Sequence, residues 1–461
     1  MSTRHCSHGE LQVDMSSHAA EAGVTRPTLA KRLAAATTSG SVSRVQAQTT
    51  DENMEYTFPG PLVLPQDDLT WEKEPLQSLR SWTNETFRNP FTNKRKTLYV
   101  APPPSITSDV SFMKVWIKPL TQSGTATSKK TAPPKVSDVR EYLEAFYHPL
   151  EVKELPNALS FVKWEKDSST NPSYVGLHDG KAVTRVRTRA CPDQSFSHQL
   201  NLNDILDVAI ESLLTDAYAI VFLINHDLYD ADEDDFCCGM AYGGSRVCTV
   251  SSTRYHPALD DDDDGSVAAY PDPRSIERGH MWPASHCRAY VDGILRGKDG
   301  QDEETTPGTK PTVRKRKRTQ QPEVVDLERP ETIDATPLGA AVKAVRTVDP
   351  KSDLYGLWLS RVARTVAHEL GHCLCFGHCS YYACSMQSTA GVAEDVRQPP
   401  YLCPVCLKKL TTAIRQVNRG LREEQLVVDR YTTLLEFCKR FPQVGMFVGF
   451  RAWLEKRIES L

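Results

Sequence analysis

Apolar residues recur along parts of this chain with two different periods, one typical of helices and one typical of strands. Residues 203–215 place apolar side chains on one face at helical spacing, which predicts a core-facing helix. The apolar run at 218–224 is short and rich in β-branched residues, which predicts a buried strand. Similar patterns predict strands at 113–120 and 159–164. Strands that alternate with helices are typical of an α/β fold with a sheet at its centre.

Polar and proline-rich stretches divide the chain into four parts. Residues 1–92 lack a periodic apolar pattern, so we expect them to be mostly disordered, with a short helix near 76–86. Residues 93–296 are expected to form the N-terminal α/β part of the main domain. Residues 297–335 are rich in Lys, Glu, Thr and Pro and predict a disordered charged insertion. Residues 336–461 predict a long helix that begins near 352–353, with Ser352 as its cap, then a cysteine-rich segment and C-terminal helices.

Composition narrows the class of protein. The 461 residues carry a net charge of −4, which creates no general attraction to nucleic acid. No apolar run is long enough to cross a bilayer, and no secretory signal is evident. The 13 cysteines suit a reducing compartment better than a disulfide framework. We therefore expect an intracellular, cytoplasmic protein. The basic run at 314–318 fits either nuclear targeting or a solvated charge run.

Residues 368–372 read His-Glu-Leu-Gly-His and concentrate several reactive side chains. Because four residues span about one helical turn, a helix presents His368 and His372 on one face, where both rings reach one metal ion. Glu369 then points to a neighbouring part of the surface and can act on a metal-bound water without ligating the metal. The alternative is a buried helix whose histidines only satisfy hydrogen bonds. The pattern favours a hydrolytic zinc site.

His378 is the natural third ligand, because catalytic zinc usually takes three protein ligands and keeps one position for water. On a straight helix it would lie about 15 Å from His368, so the chain must turn back after His372. Either Cys375 adopts a left-handed backbone conformation or Gly377 carries the turn. We expect Gly377, since glycine pays no steric cost there.

Four further cysteines follow with the spacing of a metal site. Two enclose four residues and two form a Cys-x-x-Cys pair; they are Cys379, Cys384, Cys403 and Cys406. Four thiolates close the coordination sphere of zinc, so this pattern predicts a structural site. Free buried thiols are the alternative. Cys373 and Cys375 are competing candidates for metal.

These motifs together resemble the archaemetzincin family, zinc metallopeptidases of the metzincin clan. The resemblance is carried by HELGHCLCFGHCSYYACSMQ and YLCPVC, with Cys375 in place of the family's glycine. It implies a metzincin-like α/β catalytic domain with a mixed sheet, an active-site helix, a Cys-liganded zinc subdomain and C-terminal helices. It also implies a catalytic zinc held by His368, His372 and His378, with Glu369 as the general base. It implies a second zinc held by Cys379, Cys384, Cys403 and Cys406.

Two weaker features complete the resemblance. Met386 falls where the family's Met-turn lies beneath the catalytic metal, although an ordinary core methionine is the alternative. The strand around 247–252 would be the edge along which an extended substrate adds. Because His378 and Cys379 are adjacent, the structural zinc is also expected to help hold the third catalytic ligand.

The predicted function is hydrolysis of peptide bonds by a zinc-bound water, with Glu369 as the general base. The expected cofactors are two zinc ions, and the expected partner is a peptide or protein substrate. We expect a monomer, with neither a membrane nor a nucleic acid as partner. Two other classes stay open: a catalytically degenerate zinc-binding scaffold and a nucleic-acid-binding zinc-ribbon protein. Zinc content and peptide turnover distinguish these classes.

Overall fold

The structure is a computed structural model, and it describes residues 10–43, 54–70, 75–120, 131–164, 171–260, 281–301 and 333–461. The basic run at 314–318 and most of the expected insertion, residues 302–332, lie outside the described residues.

Eleven strands form two sheets within these ranges. They are β1 (Thr97–Ala101), β2 (Ser105–Ile106), β3 (Val152–Glu154), β4 (Ser160–Val162), β5 (Tyr174–His178), β6 (Val183–Ala190), β7 (His198–Asn201), β8 (Ala217–Ile224), β9 (Asp227–Tyr229), β10 (Gly239–Tyr242) and β11 (Val247–Ser251). One sheet has the order β10-β11-β8-β1-β3, and the other has the order β2-β4-β5-β6-β7-β9. The first sheet is parallel except for β10, which pairs antiparallel with β11.

The α-helices follow the same chain order. They are α1 (Ser17–Glu21), α2 (Leu29–Ala35), α3 (Met54–Thr57), α4 (Leu79–Thr83), α5 (Met113–Trp116), α6 (Val136–Phe146), α7 (Leu202–Glu211), α8 (Arg288–Gln301), α9 (Pro337–Val345), α10 (Leu354–Cys373), α11 (Val392–Asp395), α12 (Pro404–Arg415), α13 (Glu423–Lys439) and α14 (Gly445–Glu459). The expected mixed α/β architecture is confirmed.

Strand β8 separates the two sides of the core. All eight of its residues are buried, as its continuous apolar sequence predicts for a central strand. Val221 and Leu223 belong to the apolar cluster that contains α10, whereas Ile220 and Phe222 belong to the cluster that contains α7. Since side chains alternate along a strand, β8 holds one helix layer on each face of the sheet.

The N-terminal region differs from the sequence expectation. The helix expected near 76–86 is present as α4, but the described residues before it also form helices α1, α2 and α3. Phe58 and Trp82 are 2% and 1% exposed and lie in the same core cluster as α10. These residues have no periodic apolar pattern because they enter the core one at a time, from short helices and irregular segments.

Two local expectations are wrong. Residues 113–120 were expected to form a strand, but Met113–Trp116 is a helical turn. Met113 and Trp116 are buried while Lys114 and Val115 between them are exposed, and this i, i+3 spacing suits a helix. The cap of α10 is Asp353 rather than Ser352, because Asp353 Oδ1 accepts the backbone N–H of Gly356 at 2.8 Å.

The C-terminal helices support the cysteine-rich segment. Five aromatic residues of this C-terminal region are buried in the core cluster: Phe437, Phe441, Phe447, Phe450 and Trp453. The Trp453 ring stacks on Tyr401 with centroids 4.5 Å apart, and Tyr401 lies two residues before Cys403. Helix α14 therefore packs against the segment that leads into Cys403. Among the described residues, no helix combines the length and the hydropathy needed to cross a membrane.

Candidate metal centre and active-site pocket

Helix α10 and the turn after it bring three histidines together. His368 and His372 lie one turn apart in α10, and His378 returns towards them from beyond the helix end. One ring nitrogen from each lies within 4.8 Å of the other two. The centroid distances are 4.7 Å between His368 and His372, 4.8 Å between His372 and His378, and 5.6 Å between His368 and His378.

Hydrogen bonds orient two of these rings for a metal. His368 Nδ1 lies 2.7 Å from the carbonyl oxygen of Ser385, and His372 Nδ1 lies 2.7 Å from that of Phe376. A carbonyl only accepts, so each Nδ1 carries the proton and each Nε2 presents a lone pair. The two Nε2 atoms are 3.0 Å apart, close to the separation of about 3.3 Å between ligands of tetrahedral zinc. Two converging lone pairs repel unless a cation lies between them, so these residues fit zinc.

The turn after α10 corrects the expectation about Gly377. Cys375, not Gly377, has the left-handed backbone, with φ of 62°. The N–H of Phe376 donates to the carbonyl of Gly371 at 3.0 Å, and the N–H of Cys375 donates to that of His372 at 2.8 Å. These two bonds form a Schellman motif, which ends a helix and reverses the chain. A non-glycine residue in this conformation costs about 1–2 kcal/mol, which the surrounding contacts must offset.

Glu369 is buried at a cavity of about 600 Å³. Burial raises the pKa of its carboxyl to about 8, and the charge of Asp395 adds to this rise. One wall of the cavity is formed by Gly239, Met240 and Ala241 of β10. Another is formed by Thr389, Gly391 and Asp395. Glu369 thus lies in the same cavity as the three histidines.

Strand β10, rather than β11, is the edge of the sheet beside this cavity. The substrate edge was expected around 247–252, but β11 pairs with both β8 and β10 and is internal. Gly239 of β10 approaches α10 so closely that a Cβ there would lie 3.2 Å from Glu369 Cγ. The sequence could not reveal this, because hydrophobic alternation identifies a strand but not its order in the sheet.

The four cysteines expected to bind a second metal lie together and are buried. One sulfur from each of Cys379, Cys384, Cys403 and Cys406 lies within 4.8 Å of the others. Cys379 and Cys403 have their sulfurs 3.5 Å apart, well beyond a disulfide bond and near the spacing of about 3.8 Å in tetrahedral zinc thiolates. The backbone N–H of Cys403 also donates to Cys384 Sγ at 3.3 Å. The competing candidates Cys373 and Cys375 are not part of this cluster.

Met386 lies against α10 at Gly371, which is between His368 and His372 in the helix. A Cβ at Gly371 would be 2.5 Å from Met386 Sδ, so only glycine leaves room for this methionine. The N–H of Cys379 donates to the carbonyl of Met386 at 2.7 Å. Met386 therefore contacts both the active-site helix and the cysteine segment.

Several residues around the cavity were missed by sequence reasoning. Asp395 accepts hydrogen bonds from the hydroxyls of Tyr255 and Thr389 at the cavity wall. Gln77 reaches the cavity from the N-terminal part of the chain. Neither belongs to a recognisable motif, and the contacts of Asp395 with Tyr255 and of Gln77 with Cys375 each join residues more than 100 positions apart in sequence. Asp227, three residues after β8, is buried in an ion pair with Arg254.

Comparison with known proteins identifies similar sequences around this centre. Residues 342–412, which include all three histidines and four cysteines, match the model of Peptidase family M54. Archaemetzincin-2 of Rattus norvegicus is 35% identical over 85 residues, which are 18% of this chain and 21% of the rat protein. Archaemetzincin of Methanopyrus kandleri is 36% identical over 81 residues, 18% of this chain and 43% of that protein. The alignments thus span less than half of these relatives. The crystal structure of Methanopyrus kandleri archaemetzincin aligns over 70% of this chain and 98% of its own, with 14% identity and a TM-score of 0.31.

Proposed function

We propose that this chain, which carries the archaemetzincin segment of Peptidase family M54 at residues 342–412, is a zinc-dependent metallopeptidase. The observation that carries the proposal is the convergence of His368, His372 and His378 in the cavity that also contains Glu369. Two of these rings present lone pairs 3.0 Å apart, as zinc ligands do. The similarity of this segment to named archaemetzincins supports the same chemistry.

In this proposal the three histidines hold the catalytic zinc. When bound, zinc would activate a water molecule and polarise the carbonyl of the scissile peptide. Glu369 accepts the proton of the attacking water and returns it to the leaving amine, which is the role of a general base and then a general acid. Its burial beside the histidines keeps bulk water from competing for that proton.

The second zinc is proposed to be structural. Four buried thiolates close its coordination sphere and leave no position for substrate. The side chain of Lys409, 1% exposed on α12 after the Cys-x-x-Cys pair, places a positive charge near this anionic cluster. Two zinc ions per chain are therefore the proposed metal content.

The proposed substrate is an extended peptide that adds to the free edge of β10. Backbone hydrogen bonds to an edge strand align a peptide without demanding a particular sequence. Because N–H groups of an extended peptide point to alternate sides, N-methylation should weaken binding at every second position of a cleaved peptide. A methylation scan without this period of two would argue against strand addition.

The test of the proposed function is zinc content and cleavage of a peptide library, measured on the full chain and on Glu369→Gln. We expect two zinc ions in both proteins and a fall in turnover of about 10²- to 10⁴-fold in the variant. Glu436→Gln, a change at an exposed carboxylate on α13, is the matched control. Full turnover by Glu369→Gln with both zinc ions bound would refute the proposed base. Two zinc ions with no cleavage by either protein would instead favour the scaffold.

A further inference from the structure

A single side-chain amide spans the turn between α10 and His378. Gln77 Nε2 donates to the carbonyl oxygen of Cys375 at 2.9 Å. Gln77 Oε1 accepts the backbone N–H of Gly377, also at 2.9 Å. The amide thereby bonds the backbone carbonyl before Phe376 and the backbone N–H after it, as a neighbouring strand would.

The two bonded residues belong to the turn that leads from α10 to His378, so their backbone conformations set the position of His378. Cys375 is the residue with the left-handed φ of 62°, and Gly377 immediately precedes His378. Since glycine would adopt the Cys375 conformation freely and cysteine does not, the turn needs support from outside itself. Gln77 supplies that support from a segment about 300 residues away in sequence.

Two neighbouring contacts keep Gln77 in place. Its Oε1 also accepts from Lys409 Nζ at 2.7 Å, and Lys409 is buried on α12 beside the thiol cluster. Trp82, five residues along the same segment, donates from its indole N–H to the carbonyl of Leu374 at 2.9 Å. The Trp82 ring also packs edge-on against Phe376, with centroids 5.9 Å apart. The segment thus contacts four successive residues of the turn, from Leu374 to Gly377.

We propose that Gln77 is a positioning residue for His378. Its two hydrogen bonds offset the backbone strain of Cys375, which glycine at that position would not have. The proposal rests on the proposed function in one respect, namely that the three histidines bind zinc. Gln77 does not touch the metal; it acts through the backbone of residues 375–377. It also gives the N-terminal segment a role in the metal centre.

The expected consequence of losing Gln77 is faster loss of the histidine-bound zinc. Partners that orient a metal ligand from outside the coordination sphere typically contribute 10- to 100-fold in metal affinity. We therefore expect Gln77→Ala to release the histidine-bound zinc to a chelator about tenfold faster than the unchanged chain does. The measurement is made at a temperature well below unfolding. The thiolate-bound zinc should be released at an unchanged rate.

Two variants separate positioning from general stability. Ser81→Ala is the control on the same segment, because the hydrogen bonds of the Ser81 hydroxyl go to Ser78 and not to the turn. Cys375→Gly should rescue Gln77→Ala, since glycine adopts the left-handed conformation without help. In the Cys375→Gly background, Gln77→Ala should therefore change the zinc release rate less than it does in the unchanged chain. A general loss of packing would not be rescued in this way.

Cobalt substitution supplies a spectroscopic measurement that needs no peptidase activity. Thiolate-to-cobalt charge transfer comes only from the four-cysteine site, whereas both sites give ligand-field bands. A change in the ligand-field bands with an unchanged charge-transfer band therefore reports the histidine site. Gln77→Ala should alter the ligand-field bands and leave the charge-transfer band unchanged. Equal zinc release and identical cobalt spectra in Gln77→Ala and the unchanged chain would overturn the proposal. Failure of the proposed function would be visible separately in the unchanged chain, either as only one zinc per chain or as two zinc ions without peptide cleavage.

Discussion

The Nδ1 atom of His368 donates a hydrogen bond of 2.7 Å to the carbonyl of Ser385, the residue that follows Cys384. The bond joins the proposed catalytic centre to the proposed structural one at a second point. The first point is the adjacency of His378 and Cys379 along the chain. Two of the three histidines are therefore oriented by a segment whose position depends on the cysteine cluster.

We predict that the histidine site depends on the cysteine site, and that the cysteine site does not depend on the histidine site. Cys384→Ser should lower zinc content to below one per chain, because a disordered cysteine segment no longer orients His368 and His378. His378→Ala should keep one zinc, since the thiolate site does not rely on the histidines. Zinc content measured after dialysis tests both statements.

Cys438→Ala is the matched control, because this buried cysteine lies in α13, outside the cluster. It should retain two zinc ions. A Cys384→Ser protein that keeps one zinc with only nitrogen ligands would show that the two sites are independent.

The second prediction concerns the contact between Gly371 and Met386. Gly371→Ala places a methyl group 2.5 Å from Met386 Sδ, and both residues are buried in the helix–turn interface. Crowding outweighs the gain in helix propensity, so we expect a loss of about 1–2 kcal/mol in unfolding free energy. Gly293→Ala, in helix α8 with no atom within 4 Å of the added Cβ, should be neutral or slightly stabilising. Urea unfolding measures both changes.

Crowding by Met386 also predicts coupling between the two positions. In a Met386→Ala background, Gly371→Ala should cost little, because the obstructing sulfur is gone. Equal costs in both backgrounds would show that the methionine does not explain the requirement for glycine.

The difference between what the sequence predicts and what it misses has a physical cause. Helix α7 and strand β8 are predictable because each buries one continuous face, which leaves a period in the sequence. The spacing of the histidines and cysteines is equally local, and it predicted the composition of both clusters. Gln77, Asp395 and the order of β10 and β11 depend on which distant segments meet. Cys375 was misjudged because its conformation is supported by contacts with Gln77 and not by its own preference.

The third prediction concerns the ion pairs that join the two sheets. Arg254, just after β11, binds Asp227 of β9 through Nε at 2.8 Å and Asp193 through Nη1 at 2.5 Å. All three side chains are at most 2% exposed. Arg254→Met leaves two uncompensated buried carboxylates, so we expect a loss of about 3–5 kcal/mol in unfolding free energy. Denaturant unfolding of the zinc-loaded protein measures it.

The companion variant distinguishes unpaired charge from lost packing. Adding Asp193→Asn and Asp227→Asn to Arg254→Met removes the charges and should recover part of the lost stability. If the triple variant is less stable than Arg254→Met, the carboxylates contribute through contacts other than the ion pairs.

The fourth prediction concerns His226, a buried residue between β8 and β9. Its Nε2 lies 3.3 Å from the carbonyl oxygen of Met113, and its ring meets Phe161 edge-on with centroids 5.1 Å apart. Burial lowers the pKa of His226 to about 4, although the bond to Met113 opposes this shift. The folded protein therefore keeps this imidazole neutral at pH values where the unfolded chain protonates it.

The sign of the pH effect follows from this lowered pKa. The stabilising contribution is fully present above the unfolded pKa of about 6.5 and is lost as pH falls towards 4. Between pH 7.5 and pH 5 the loss amounts to about 2 kcal/mol. His226→Gln keeps a donor for Met113 but does not titrate, so its unfolding free energy should fall by about 2 kcal/mol less over the same interval. His178→Gln, on strand β5, is the control and should follow the unchanged chain. Loss of zinc at low pH affects all three proteins alike, so the comparison isolates His226; parallel pH profiles for all three would contradict the prediction.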